Sequence, residues 1–106
     1  MARKQGYLKV LPSGQVMPAY AMTTTQKVTL SDDTYNEINV PDYALAATIR
    51  SAEEVIFGES NTADGFQDTR IEVNCADASA TEHIYLKRTL SNDQIVYIEW
   101  FMGWSS

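Results

Sequence analysis

The feature that most constrains the fold of this sequence is a two-residue alternation of apolar and polar side chains that recurs along the chain. Clusters of turn-forming residues such as SDDT, DASAT and LSND separate the alternating segments. This spacing is typical of antiparallel strands that place one face in a core. It predicts eight strands, at residues 7–11, 27–30, 36–40, 45–50, 54–57, 70–75, 83–88 and 94–102.

Helical periodicity is nearly absent. The best helical candidate is DYALAATIRSAEEV (42–55), but Leu45, Ala47 and Ile49 alternate, and Pro41 precedes them. These features favour a strand followed by a turn at 51–54. Because 106 residues leave room for one core only, we predict a single all-β domain, an antiparallel β-sandwich or jelly roll.

Charge divides the chain into two parts. Residues 1–27 hold four cations and no acidic residue, whereas residues 28–106 hold four cations against all fourteen Asp and Glu, a net charge of −10 there and −6 overall. Residues 12–26 (PSGQVMPAYAMTTTQ) do not alternate cleanly. We therefore predict an extended basic N-terminal arm over 1–26 and a β-sandwich domain over 27–106. A body this acidic repels phosphate, so we expect no nucleic-acid binding.

The absence of acidic residues in the arm predicts that it lies against something negative. Two alternatives remain open. The arm folds back on the acidic body of its own chain, or it is mobile alone and clamps an acidic partner surface. The arm residues expected to bind the partner are its cations and large apolar residues, namely Arg3, Lys4, Tyr7, Leu8, Lys9, Val10, Met17, Tyr20 and Met22.

The last predicted strand, QIVYIEWFM (94–102), carries large side chains on both faces. A sandwich strand with one solvated face should alternate instead. The second face is therefore predicted to meet the arm, a second copy of the chain in a dimer or trimer, or both. The residues predicted for this self-interface are Val96, Ile98, Trp100, Met102 and Trp104.

No catalytic constellation can be assembled from the sequence. With His83 and Cys75 as the single histidine and cysteine, multi-histidine metal sites, Cys–His pairs and internal disulfides are excluded. Cys75 is predicted to be a small buried hydrophobe. The polar loop 58–69 fails the EF-hand spacing, so a solvated loop is favoured over an irregular cation site at Asp64 and Asp68. We predict no enzymatic activity, no cofactor and no metal.

Membrane insertion and secretion are not expected either. No segment reaches the roughly 18 apolar residues of a membrane span. Pro12, Ser13 and Gly14 interrupt what would otherwise be the apolar part of a signal peptide. These features predict assembly in a cytoplasm.

The run KVTLSDDTYNEINVPDYALAATIRSAEEVIFGES, followed by a polar loop, IYLKR and a closing aromatic strand, resembles small accessory proteins of tailed-bacteriophage virions, the capsid decoration or cement proteins. The resemblance covers about residues 27–102 and is one of pattern and length. It implies a jelly-roll-like domain on the capsid surface that oligomerises, bridges major capsid protein subunits and uses an extended terminus as a clamp. The alternatives are a tail, fibre or neck module of such a particle, or a small carbohydrate-binding β-sandwich with exposed Trp and Tyr.

Overall fold

A computed structural model describes residues 2–9, 20–58, 60 and 65–105 of the chain. These residues form antiparallel strands and, within the described ranges, no helix, so the predicted all-β antiparallel fold is confirmed. The strands are β1 (Met22–Leu30), β2 (Asn36–Asn39), β3 (Ala44–Gly58), β4 (Phe66–Asn74), β5 (His83–Arg88) and β6 (Gln94–Met102).

The long strand β3 organises the sheet. Along one edge, its first half pairs with β6 and its second half with β5, while β4 pairs with both halves along the other edge. The strand order is β1-β6-β3-β5-β2, with β4 beside β3. β3 therefore changes its neighbour part-way along its length, and the register against β4 shifts between Arg50 and Val55 at the same place.

A buried glutamine stabilises this irregular part of β3. The Gln94 side chain is 3 % exposed, and its Nε2 donates to the carbonyls of Glu54 (2.8 Å) and Glu53 (3.2 Å) and to Ser51 Oγ (3.0 Å). Its Oε1 accepts from the Thr89 backbone N–H at 2.9 Å. A bulge leaves some strand carbonyls without partners in the backbone ladder. A side-chain amide that donates to these carbonyls removes the cost of withdrawing them from water unpaired.

Both halves of the sheet contribute to one core. In most strands, alternate residues face inward, and the inward set includes Cys75, which is buried as predicted. The Trp100 indole N–H is satisfied by Gln26 Oε1 at 3.0 Å, so this large side chain is buried without an unpaired donor. The core residues are Leu30, Ile38, Val40, Ala44, Ala47, Ile49, Val55, Ile71, Cys75, Ile84, Leu86, Val96, Ile98 and Trp100.

Several predicted boundaries differ from the structure. The strands at 83–88 and 94–102 are confirmed, and 36–40 is one residue too long, but 45–50 and 54–57 are halves of β3 and no turn separates them. β4 begins earlier than predicted and ends one residue sooner. Of the predicted strand 7–11, Tyr7 makes an isolated bridge with Trp104, while residues 10 and 11 lie outside the described ranges.

The strand predicted at 27–30 begins earlier in the structure, because β1 starts at Met22, within the range predicted for the arm. Residues 22–26 pair with the second half of β6, in register from Met22–Met102 to Gln26–Ile98. The threonine triplet at 23–25 was assigned to the arm for lack of apolar alternation. Threonine is nevertheless a good strand former, and on a strand at the sheet margin it tolerates solvent on both faces.

Replacing Gln94 with leucine tests its role in β3. Gln94→Leu keeps a similar volume but removes the amide donor to the carbonyls of Glu53 and Glu54, of which only Glu54 keeps a second donor, the Thr89 hydroxyl. We expect a loss of about 1–3 kcal/mol in the free energy of unfolding, measured by urea titration.

The matched control is Gln67→Leu, at an exposed position in β4. It should change the unfolding free energy by less than about 0.5 kcal/mol, as is usual for surface substitutions. Equal stability of the two variants would contradict the assigned role of Gln94.

Candidate functional site

The N-terminal segment, residues 2–9, lies against the body of the chain. Tyr7 and Trp104 exchange two backbone hydrogen bonds, of 2.9 and 2.8 Å, just beyond the end of β6. The carbonyl of Lys4 accepts from the Tyr43 N–H at 2.8 Å, and the Tyr43 carbonyl accepts from the Gly103 N–H at 2.7 Å. For these residues the structure shows the first alternative for the arm, in which the chain folds back on itself.

The close approach of backbones at this point requires a glycine. Gly6 is buried, and a Cβ there would overlap the carbonyl of Tyr43. Tyr43 itself has a φ of 70°, an uncommon conformation for a residue with a side chain. The backbone of the N-terminal segment is thus packed directly on the turn that precedes β3.

The guanidinium of Arg3 joins three separate parts of the body. It donates to the carbonyls of Thr81 (2.7 Å) and Ala44 (3.0 Å) and to that of Cys75. Burial lowers the pKa of Arg3, and the Cys75 thiol and the nearby carboxylates of Asp42, Asp77 and Glu82 act in the opposite direction. Arg3, predicted to bind a partner, is therefore engaged inside its own chain.

The loop between β4 and β5, whose carbonyls accept from Arg3, is held by hydrogen bonds to the side chains of Gln5 and Asp77. Gln5 Oε1 accepts from the Ala78 N–H at 3.0 Å. Asp77 Oδ1 accepts from the Ser79 N–H (3.0 Å), the Ser79 hydroxyl (2.8 Å) and the Ala80 N–H (3.3 Å). These hydrogen bonds lower the pKa of Asp77 because they favour its ionised carboxylate, and the bond from the Ser79 hydroxyl has the largest effect. Burial raises the pKa of the Cys75 thiol, although Arg3 opposes that effect.

Four large apolar side chains of the predicted arm are exposed at one end of the sheet. Their exposed fractions lie between 40 and 56 %. The backbone places them together, because Tyr7 pairs with Trp104, Met22 pairs with Met102, and the Tyr20 and Phe101 ring centroids are 5.1 Å apart. We name this group, Tyr7, Leu8, Tyr20 and Met22, the β6-end cluster.

One cation, Lys9, lies beside the β6-end cluster. Lys9 Nζ is 4.0 Å from the ring centroid of Trp104, and Lys4 is exposed while its backbone N–H donates to Asp42 Oδ1 at 2.7 Å. Two further residues of the predicted partner-binding set, Val10 and Met17, lie outside the described residues.

The predicted self-interface lies on the wrong face of β6. Val96, Ile98 and Trp100 are at most 1 % exposed and belong to the core of a single chain. Met102 packs partly against that core, and Trp104 is half-buried beside Lys9. Both faces of β6 carry large apolar residues, so alternation alone could not show which one points inward. The exposed face is the other one, with Ile95 and Tyr97.

The remaining candidates from the sequence are dispersed. His83 Nδ1 pairs with Glu37 Oε1 at 3.1 Å across β5 and β2. Asp68 accepts from the Thr69 N–H within β4, while Asp64 lies outside the described residues. The described ranges contain no group of three or more His, Cys, Asp or Glu placed to hold a metal ion. They also contain no helix that is long and apolar enough to cross a membrane.

Comparisons with protein-family models, with curated proteins and with solved structures find no match to this chain. The resemblance to capsid decoration proteins therefore stays a prediction from the sequence pattern.

Removal of the Arg3 guanidinium should destabilise the protein. Arg3→Ala leaves the carbonyls of Thr81, Ala44 and Cys75 without their charged donor, so we expect a loss of about 2 kcal/mol or more in the unfolding free energy. Arg3→Lys should recover only part of it, because an ammonium cannot reproduce the guanidinium fork.

The control for Arg3 is Arg50→Ala, at an exposed position in β3. Urea titration of the three variants and the unchanged protein should place Arg50→Ala near the unchanged protein. A stable Arg3→Ala variant would show that the hydrogen bonds of Arg3 add nothing to folding.

Asp77 should make part of the stability depend on pH. Its folded pKa is lowered, so its contribution is present above the ordinary aspartate pKa of about 3.9 and is lost as the pH falls through the folded value. The difference in unfolding free energy between the unchanged protein and Asp77→Asn should be larger at pH 7 than in acid. The difference between the unchanged protein and Ser79→Ala should also be larger at pH 7 than in acid, but smaller than that for Asp77→Asn. A difference that grows on acidification would contradict the role assigned to the Asp77 carboxylate.

Proposed function

We propose that the chain is a structural virion protein, a capsid decoration or cement protein that binds the outer surface of a phage capsid and bridges major capsid protein subunits. The β6-end cluster is the observation that carries the proposal. It combines the exposed side chains of Tyr7, Leu8, Tyr20 and Met22 with Lys9 alongside, on a chain whose net charge is −6.

The composition of the cluster suits a protein partner. Tyrosine and methionine are enriched at protein interfaces, and a few aromatic anchors carry most of the binding energy in such contacts. Lys4 and Lys9 would favour encounter with an acidic surface, while the acidic remainder of the chain disfavours other orientations. The contact would be small in area, and attachment in many copies to a regular shell would compensate for modest affinity.

The arrangement of the sheet supports a two-layer form of the fold. Leu30 and Val96 from the β1–β6 side meet Ile38 and Leu86 from the β2–β5 side in one core cluster. We propose that the bend in β3 folds the two sides over this core as a β-sandwich of the jelly-roll kind. Such a body would hold the β6-end cluster rigidly at one end.

A dimer or trimer on the capsid remains part of the proposal. Its contact would have to avoid the buried face of β6. Of the residues predicted for it, Met102 and Trp104 border the β6-end cluster and are the two that such a contact could use.

The proposal is tested with empty capsids of a phage that encodes the chain, prepared without it. The double variant Tyr7→Ala/Leu8→Ala should bind these capsids at least roughly tenfold more weakly in co-sedimentation, since anchors at interfaces contribute more than about 1 kcal/mol each. Purified tails are assayed in parallel, and they should not bind the protein.

The matched control is Tyr97→Ala, which removes an equally exposed tyrosine (49 %, against 50 % for Tyr7) from a different surface. It should bind capsids like the unchanged protein. Undiminished binding by the double variant would refute the role of the cluster, and binding to tails alone would favour a tail or neck module instead.

A further inference from the structure

The outward face of the β1–β6–β3–β4 half of the sheet carries side chains aligned in rows by the strand register. Each row takes one residue from each of the four strands in turn. The three central rows are Thr23, Phe101, Ala46 and Asn74, then Thr25, Glu99, Thr48 and Glu72, then Lys27, Tyr97, Arg50 and Arg70.

Two hollows in this face meet at Thr48 and form one trough. Thr48 is 6 % exposed and lies at the floor, with longer side chains on both sides. The larger hollow, about 600 Å³, reaches from Thr48 to Tyr20 and Phe101 on one side and to Glu72 and Asn74 on the other. The smaller hollow, about 220 Å³, is lined by Thr25, Thr48, Arg50, Tyr97 and Glu99. We name the two together the outer trough.

Aromatic rings stand at both ends of the outer trough. The Tyr20 and Phe101 rings, 5.1 Å apart, lie at one end, and the half-exposed Tyr97 lies at the other. Phe101 and Tyr97 are four residues apart on β6, which corresponds to about 13 Å along a strand. Charged and hydroxyl side chains occupy the space between the rings.

The polar groups of the outer trough are balanced in charge and exposed. Arg70 Nη2 and Glu72 Oε1 are 3.2 Å apart, and both side chains are largely in water. Burial of these groups under an apolar partner would cost their hydration without new hydrogen bonds. Because Glu72 and Glu99 offset Arg50 and Arg70, the lining has no net positive charge to attract a phosphate-bearing ligand.

These features match the chemistry of a saccharide. A sugar ring packs its C–H face on an aromatic ring, while the hydroxyls at its rim pair with carboxylate, guanidinium and amide groups. We propose that the outer trough binds a neutral oligosaccharide, with Tyr97 and the Tyr20–Phe101 pair as platforms and Glu99, Arg50 and Asn74 as partners for hydroxyls. This site shares Tyr20 with the β6-end cluster but includes neither Tyr7 nor Leu8, the residues that test the capsid contact.

The test is affinity electrophoresis of the full chain in native gels that contain hydroxyethylcellulose, arabinoxylan, galactomannan or dextran. At least one of these polysaccharides should retard the protein. Titration calorimetry with a hexasaccharide of the same backbone should then show roughly tenfold weaker binding for Tyr97→Ala, equivalent to about 1.4 kcal/mol of lost stacking. Glu99→Gln should also weaken it.

The matched control is Tyr7→Ala, which should bind the hexasaccharide like the unchanged protein, and amide shifts in NMR spectra on titration should centre on Thr48, Tyr97 and Glu99. The proposal is wrong if none of the four polysaccharides retards the folded protein. It is also wrong if Tyr7→Ala and Tyr97→Ala lose binding equally, or if sedimentation shows a dimer that Tyr97→Ala dissociates, because a second copy would then occupy the trough.

Discussion

The register shift part-way along β3 is the constraint on which the rest of the structure depends. This strand of fifteen residues shifts register after Arg50 and passes from β6 to β5 along one edge. The Gln94 amide and the Thr89 hydroxyl stabilise this region, because they donate to carbonyls that the ladder leaves unpaired. Both halves of the sheet can then contribute to one core, and the four-stranded half keeps an open outward face.

The N-terminal segment packs on this domain just beyond the end of β6. Its positive charge has a local explanation, since Arg3 lies near Asp42, Asp77 and Glu82 and donates to carbonyls of the body. A segment held in this way does not lose conformational freedom again when a partner binds Tyr7 and Leu8. The β6-end cluster is thus a preformed surface, which distinguishes it from the mobile clamp that the sequence also allowed.

Local alternation was sufficient to predict β5, β6 and the all-β fold, but features that depend on distant pairing could not be predicted. The polar run at 51–54 resembles a turn, and the strand continues there because the distant side chains of Gln94 and Thr89 donate to its carbonyls. The inward face of β6 could not be chosen, because Tyr97 and Ile98 are both large and apolar. All four residues of the β6-end cluster could be predicted as binding residues from their residue type alone. The outer trough was missed, because it exists only once four strands are in register.

The most direct test of this account is the exchange of backbone amide hydrogens in the isolated protein, followed by NMR. If the N-terminal segment is part of the folded body, the amides of Tyr7, Tyr43, Gly103 and Trp104 should be protected, because each donates a backbone hydrogen bond at this junction. If the Tyr7 and Tyr43 amides instead exchange at the rate of an unfolded chain while β6 is protected, the segment is a mobile arm. The preformed cluster would then not exist.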